Sequence, residues 1–223
     1  MENTNERDHI KGRGEIMKKF TIRALFFILG LYILSFGISL TIKADLGAGA
    51  WDALNVGLED EVGLTVGTWV IIVGMVLIFS NALLAKERPD FLALITVTIL
   101  GPMIDFWLEF FMADWAFTSF PAQIAVLLVG IVFVSLGIAT YIQPKLPLIP
   151  IDNFMVSVQK RFNLQITKAK TLTEAFALLM AFLFGGPIGI GTVVILFMLG
   201  PTIQFFDPKA KNVLGRLLGE EIG

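Results

Sequence analysis

Cysteine is absent from the 223 residues, which excludes disulfides, thiolate nucleophiles and thiolate metal sites. Histidine occurs once, as His9 in a polar N-terminal stretch, so imidazole catalysis and histidine-bound metals are excluded from the apolar body of the chain. Charge is scarce and nearly balanced, with a net value of −2, and its distribution therefore carries more information than its sum. No phosphate-cradling glycine loop, zinc-binding helix motif or catalytic serine motif is present. No enzyme, no cofactor, no metal and no nucleic-acid interface is expected from this inventory.

What the chain does contain is apolar. Hydrophobic residues make up 56% of it, and charge is missing from Ala24–Ile42, Val62–Ala85, Trp115–Pro144 and Ala175–Phe206. Runs of this length are lipid-crossing candidates, since about 20 apolar residues span the hydrocarbon. Phe91–Ile104 is a fifth run, bounded by Asp105, and Gly185-Gly186-Pro187 divides the last run by a turn. Six spans are expected, at 21–42, 65–85, 91–111, 121–142, 169–185 and 188–206. The first is longer than the apolar core of a signal peptide and is read as a span rather than a cleaved leader.

The chain also repeats itself. At an offset of 100, Ser35, Gly37, Ile38, Asp52 and Leu64 meet Ser135, Gly137, Ile138, Asp152 and Leu164; at an offset of 99, Leu100-Gly101-Pro102 meets Leu199-Gly200-Pro201. With the N-terminus inside, sixteen of the seventeen Lys and Arg residues fall on the cytoplasmic side, and Lys43 alone falls outside. Three crossings per copy turn the second copy upside down relative to the first. The expected fold is therefore an all-α membrane protein of six transmembrane helices in two inverted three-helix repeats. A polar cytoplasmic tail at 1–19, disordered before Lys18, precedes repeats at 20–111 and 121–206. A cytoplasmic amphipathic tail follows at 207–223, with Val213, Leu214, Leu217 and Leu218 as its apolar residues. Gly30, Gly37, Gly67, Gly74, Gly130 and Gly137 suit close helix contacts. Trp51, Trp69, Trp107 and Trp115 fit an outer aromatic belt.

Each repeat carries a broken connection after its first span. Gly47 and Gly49 interrupt the first; Pro144, Pro147 and Pro150 interrupt the second. A short helix then begins in each, with Asp52 or Asp152 in its first turn. If these helices dip into the protein, their free N–H groups and carboxylates line a polar cavity, and Asp52, Asn55, Asp152 and Asn153 are the candidate solute-binding residues. If they lie on the membrane surface, the two Asp residues merely cap them. Further candidates for an intramembrane polar or gating role are Asp105 and Gln204, the helix-kinking Pro102 and Pro201 one turn before them, and Glu174; the rival readings are a solvated outer end for Asp105 and a boundary residue near Lys168 and Lys170 for Glu174. Asn81 and Thr192 are read as hydrogen-bonding between helices.

The segment Lys43-Ala-Asp-Leu-Gly-Ala-Gly-Ala-Trp-Asp-Ala-Leu54, together with Val66–Val70 and Leu100–Phe106, resembles the YczE/YyaS/YitT group of bacterial integral membrane proteins, and its YczE branch most. The likeness runs from Met17 to Phe206, and a soluble C-terminal domain like that of the longer YitT-type proteins is not expected. The resemblance implies a multi-pass protein of the bacterial cytoplasmic membrane, and it transfers neither a reaction nor binding residues. The leading expectation is a small secondary transporter or permease whose solute, a small molecule or ion, sits between the broken helices. The alternative is a non-catalytic scaffold or regulatory subunit assisting another membrane or biosynthetic system. Expected partners are the lipid bilayer, the solute, and either a second copy of the chain or a membrane partner protein. A substrate-capturing subunit without its own energy source is a third variant, and an intramembrane enzyme comes last.

Overall fold

The computed structural model describes residues 2–219, with side chains described from Arg13 onwards. Among the described residues it is entirely helical. α1 (Glu2–Lys43), α2 (Ala50–Val62), α3 (Val66–Ala85) and α4 (Leu92–Asp105) are followed by a π-helical turn, Phe106–Phe111. α5 (Phe120–Tyr141), α6 (Pro150–Phe162), α7 (Ile166–Leu183) and α8 (Ile190–Leu218) complete the chain. The order of a long helix, a helix of 13 residues and two further helices thus occurs twice.

Local chemistry sets the breaks. Gly47, at φ +101°, turns the chain between α1 and α2 in a conformation that side chains resist. Pro150 opens α6 at a position whose missing N–H costs no helical hydrogen bond. Thr65 caps α3 by accepting from the Thr68 amide at 3.1 Å. At 13 residues, α2 and α6 are each about 20 Å long, too short to cross the hydrocarbon.

Among the described residues, five helices are long and apolar enough to cross a membrane: α1, α3, α4 with its π-helical turn, α5 and α8. The sixth expected span, 169–185, corresponds to α7, which is not among them; Lys168, Lys170 and Glu174 lie in its first half. The exterior is strongly apolar. Leu83, Phe110, Phe182 and Phe197 are each more than 70% exposed, an arrangement that suits lipid and not water. The protein is an all-helical, multi-pass membrane protein.

Two expectations about the ends change. Residues 13–17 continue α1 as an exposed helix instead of a disordered segment, and the first twelve residues lie outside the described side chains. The C-terminal stretch forms no separate amphipathic helix: α8 runs through Pro208 to Leu218. Its apolar residues divide, with Leu214 and Leu218 buried on Phe26 of α1 while Val213 and Leu217 stay exposed.

α1 and α5 form the central pair. A Cβ added to Gly30 or Gly37 would meet the backbone of Tyr141 or Val134 at 2.5 and 2.4 Å, and one on Gly130 or Gly137 would meet Thr41 or Leu34 at 2.8 and 2.5 Å. The partner number falls as the glycine number rises, so the two helices run antiparallel. The pairs Gly30–Tyr141 and Gly37–Val134 become Gly130–Thr41 and Gly137–Leu34 when each position is moved by 100. The absence of side chains at the four glycines lets the backbones touch.

Around this pair the short helices are exchanged between halves: α2 packs on α7, and α6 packs on α3. The outer helices differ. α3 and α4 are joined where Gly67 and Gly101 meet, with the Gly101 carbonyl only 2.1 Å from where a Gly67 Cβ would stand. α7 and α8 make no comparable contact, and Gly200, the counterpart of Gly101, faces open space. A seam therefore runs between α7 and α8.

Candidate functional site

The broken connections carry backbone groups that no helix satisfies, and four of them find partners elsewhere in the bundle. Thr96 of α4 donates its hydroxyl to the Pro147 carbonyl at 2.9 Å, and Asn81 of α3 donates to the Pro150 carbonyl at 3.0 Å. The first connection is held by the turn before α8: the Ala48 amide donates to the Pro187 carbonyl at 3.0 Å, and the Gly191 amide to the Leu46 carbonyl at 2.6 Å. Both connections are thereby fixed by residues distant in sequence, and the start of each short helix points into the bundle.

Between those starts lies a cavity of about 160 Å³. Asp52 and Asn55 of α2, Asp152 of α6 and Glu174 of α7 line it, along with Trp51, Lys170, Thr41 and Thr192. The remaining wall is aliphatic, including Leu34, Ile38, Val97, Ile131, Val134 and Ile195. Tyr141 donates its hydroxyl to Asp152. Asp52 has no such phenol, because the residue at the position equivalent to Tyr141 is Thr41, whose hydroxyl donates to the Ile38 carbonyl at 2.8 Å. Asp52 is close enough to Glu174, and Asp152 to Lys170, for their charges to act on each other.

Two buried polar atoms in the lining are left without partners. Asn55 is 2% exposed with Oδ1 unbonded, and Trp51 is 7% exposed with its indole Nε1 unbonded. Burial of such groups without hydrogen bonds costs about 1–3 kcal/mol each, which a bound molecule with matching groups relieves.

The sequence-derived candidates therefore separate. Asp52, Asn55, Asp152 and Glu174 come together at the cavity. Asn153, one position beyond Asp152, points elsewhere: its amide faces Asp90 at 3.5 Å, beside a smaller hollow of about 120 Å³ shared with Arg88 and Lys160. Asp105 also lies outside the cavity. It accepts from the Thr65 hydroxyl at 2.7 Å and the Gly67 amide at 2.6 Å, clamping the end of α4 to the start of α3. Its counterpart Gln204 is exposed, as are Pro102 and Pro201, so the second half has no equivalent clamp.

Trp51 and Lys170 were not among the candidates. Trp51 does not join Trp107 in an outer aromatic belt, since both are 7% exposed and Trp107 donates its indole N–H to Ser35 at 3.1 Å. Distance along the helix suggested the membrane boundary but carried no information on which way the ring pointed. Lys170 could have been found through Glu174, four residues on and on the same helical face.

Comparison with known proteins gives a consistent picture without an activity. The chain is 36% identical over 187 residues to the uncharacterized protein YyaS of Bacillus subtilis, covering 84% of this chain and 93% of that one. It is 31% identical over 198 residues to the uncharacterized membrane protein YczE of the same organism, covering 88% and 91%. An uncharacterized protein of Haemophilus influenzae is 27% identical over 199 residues, covering 88% and 86%. No solved structure is significantly similar to it. Residues 21–208 match the family of unknown function DUF6198, and the chain belongs to that family, alongside its YyaS and YczE relatives.

Proposed function

We propose that the protein is a small secondary transporter of the bacterial cytoplasmic membrane, made of two inverted three-helix repeats that hold a solute in the central cavity. One observation carries the reading. The starts of the two short helices, one from each half and each bearing an Asp, face a common cavity. Helix starts at the junction of inverted repeats are a recurrent way to build a solute site at the bilayer midplane.

The antiparallel α1–α5 pair, with contacts that interchange on moving by 100 residues, supports the inversion. Sidedness is supported by contacts between loops. Lys160 pairs with Glu87 at 3.0 Å, Gln143 donates to Asp207 at 2.8 Å, and Phe26 packs on Leu214. These bring the basic segments to one face, the side taken as cytoplasmic, with both termini. At the opposite face Lys43 donates to the Ala113 carbonyl at 3.4 Å. In this arrangement the Asp105 clamp closes the outer end of α3 and α4, while the seam between α7 and α8 leaves the inner side open. Transport proceeds by the two halves exchanging these shapes.

The test is uptake into liposomes containing the purified protein, screened against pools of small solutes. Uptake that disappears in the Asp52→Asn, Asp152→Asn double variant, with folding retained, supports the reading; unaltered uptake in that variant removes the carboxylates from the site. The scaffold alternative predicts instead a stoichiometric partner that is lost when residues 207–223 are deleted. The burial of Leu214 and Leu218 on α1 leaves that segment less apolar surface for docking.

A further inference from the structure

The charges around the cavity are unequal. Asp52, Asp152 and Glu174 face Lys170 alone, a formal surplus of two negative charges. The two helix starts return roughly half a positive charge each, which lowers the surplus without reversing it. We propose, on the basis of the transporter reading above, that the cavity binds a small organic cation: an ammonium group attached to a compact apolar body that also carries a neutral hydrogen-bond acceptor.

Each part of that description answers to a feature of the site. Among the described residues no group of three carboxylates or histidines is placed to hold a metal ion, so the three carboxylates do not gather as the ligands of a bare cation would. Dispersed charge of this kind suits a polyatomic cation. The unbonded Asn55 Oδ1 accepts an ammonium N–H, the unbonded Trp51 N–H donates to the acceptor on the solute, and the indole face attracts positive charge. Both side chains are more than nine-tenths buried, so bulk water does not satisfy them cheaply. The aliphatic wall takes the apolar body. A volume of about 160 Å³ is close to that of a protein cavity of about 150 Å³ that holds benzene, which sets the solute near the size of one substituted ring.

Benzylamine, benzyl alcohol and benzoate share one ring and differ in charge, so they isolate the charge requirement. Binding to the detergent-purified protein is measured by calorimetry and by tryptophan fluorescence. The expected result is benzylamine bound at least tenfold more tightly than either of the others. The preference should fall about tenfold in Glu174→Gln and widen in Lys170→Gln, two substitutions that leave the Tyr141–Asp152 contact in place. Tightest binding of benzoate, equal binding of all three, or no binding of any overturns the proposal. The outcome is separable from that of the transport reading: amine binding without any uptake in liposomes removes the transporter and keeps the cation site, whereas uptake of an anionic solute does the reverse.

Discussion

Asp105 and Asp52 are both carboxylates within apolar sequence, and donors decide their different roles. Asp105 receives two hydrogen bonds and joins two helices, whereas Asp52 faces the cavity without a counterpart to the phenol that Asp152 enjoys. Asp105→Ala leaves Thr65 and the Gly67 amide without their acceptor, at a cost of about 1–3 kcal/mol. For a chain of this size that lowers Tm by roughly 2–4 °C per kcal/mol, measurable by thermal unfolding in detergent. Glu59, at the outer end of α2, gives a pH test. Burial, then the nearby Asp60, Glu109 and Asp105, hold its carboxyl above the ordinary value, with a hydrogen bond from the Val66 amide acting in the other direction. The folded state therefore binds this proton more tightly than the unfolded chain. The stability it confers is complete below the ordinary carboxyl pKa and is lost as pH rises through the raised one. Glu59→Gln should accordingly be more stable than the parent near neutral pH, and the gap should close in acid; a pH series of melting curves checks this. The position of Asp52, Asp152 and Glu174 around one cavity was legible in the sequence only in part, because a carboxylate in the first turn of a short helix is equally explained as a cap and only the packing of α2, α6 and α7 brings the three together. Asn153 misled because one step along a helix rotates a side chain by about 100°, out of the cavity.

At the scale of elements, glycine and proline made the short helices visible, and the lengths of the uncharged runs located α3, α4 with its π-helical turn, and α5 to within a few residues, whereas α1 and α8 run well past the expected ends and α7 falls short of a crossing helix. Two features were hidden. The π-helical turn after Asp105 leaves no compositional mark, and Asp207-Pro208 suggested a boundary that α8 ignores. The second case comes down to magnitudes. An interior proline costs about 3 kcal/mol, while burying two leucines gives about 3–6 kcal/mol, enough for Leu214 and Leu218 on Phe26 to carry the helix onward. The α1–α5 contact offers the sharpest test of packing. A side chain on Gly37 would collide with the Val134 backbone, and backbone cannot swing aside as a flexible side chain can. Gly37→Leu should abolish recovery of monodisperse protein in gel filtration, while Gly14→Leu, at a position with nothing within 4 Å, should leave it unchanged.

For the whole molecule, the charge asymmetry of the sequence and the contacts between loops point the same way, so topology can be checked directly. In this cysteine-free chain, single cysteines at Arg88 and Lys160 should react with an impermeant maleimide from one side of the membrane, and a cysteine at Asp114 from the other. Labelling of 88 and 160 from opposite sides would sink the architecture. The sequence could not disclose that its two halves are held differently, because repeat similarity speaks of shared ancestry and not of present shape.

That inequality has a use. If the protein is the inverted-repeat transporter proposed above, its two related halves in dissimilar poses display both ends of its cycle: giving the α5–α8 half the pose of α1–α4, and the reverse, describes the second conformer. In that conformer residues 165 and 204 approach each other as Thr65 and Asp105 do here. A disulfide engineered between Gln165→Cys and Gln204→Cys should then form only transiently in the resting protein, accumulate during turnover, and arrest it once formed.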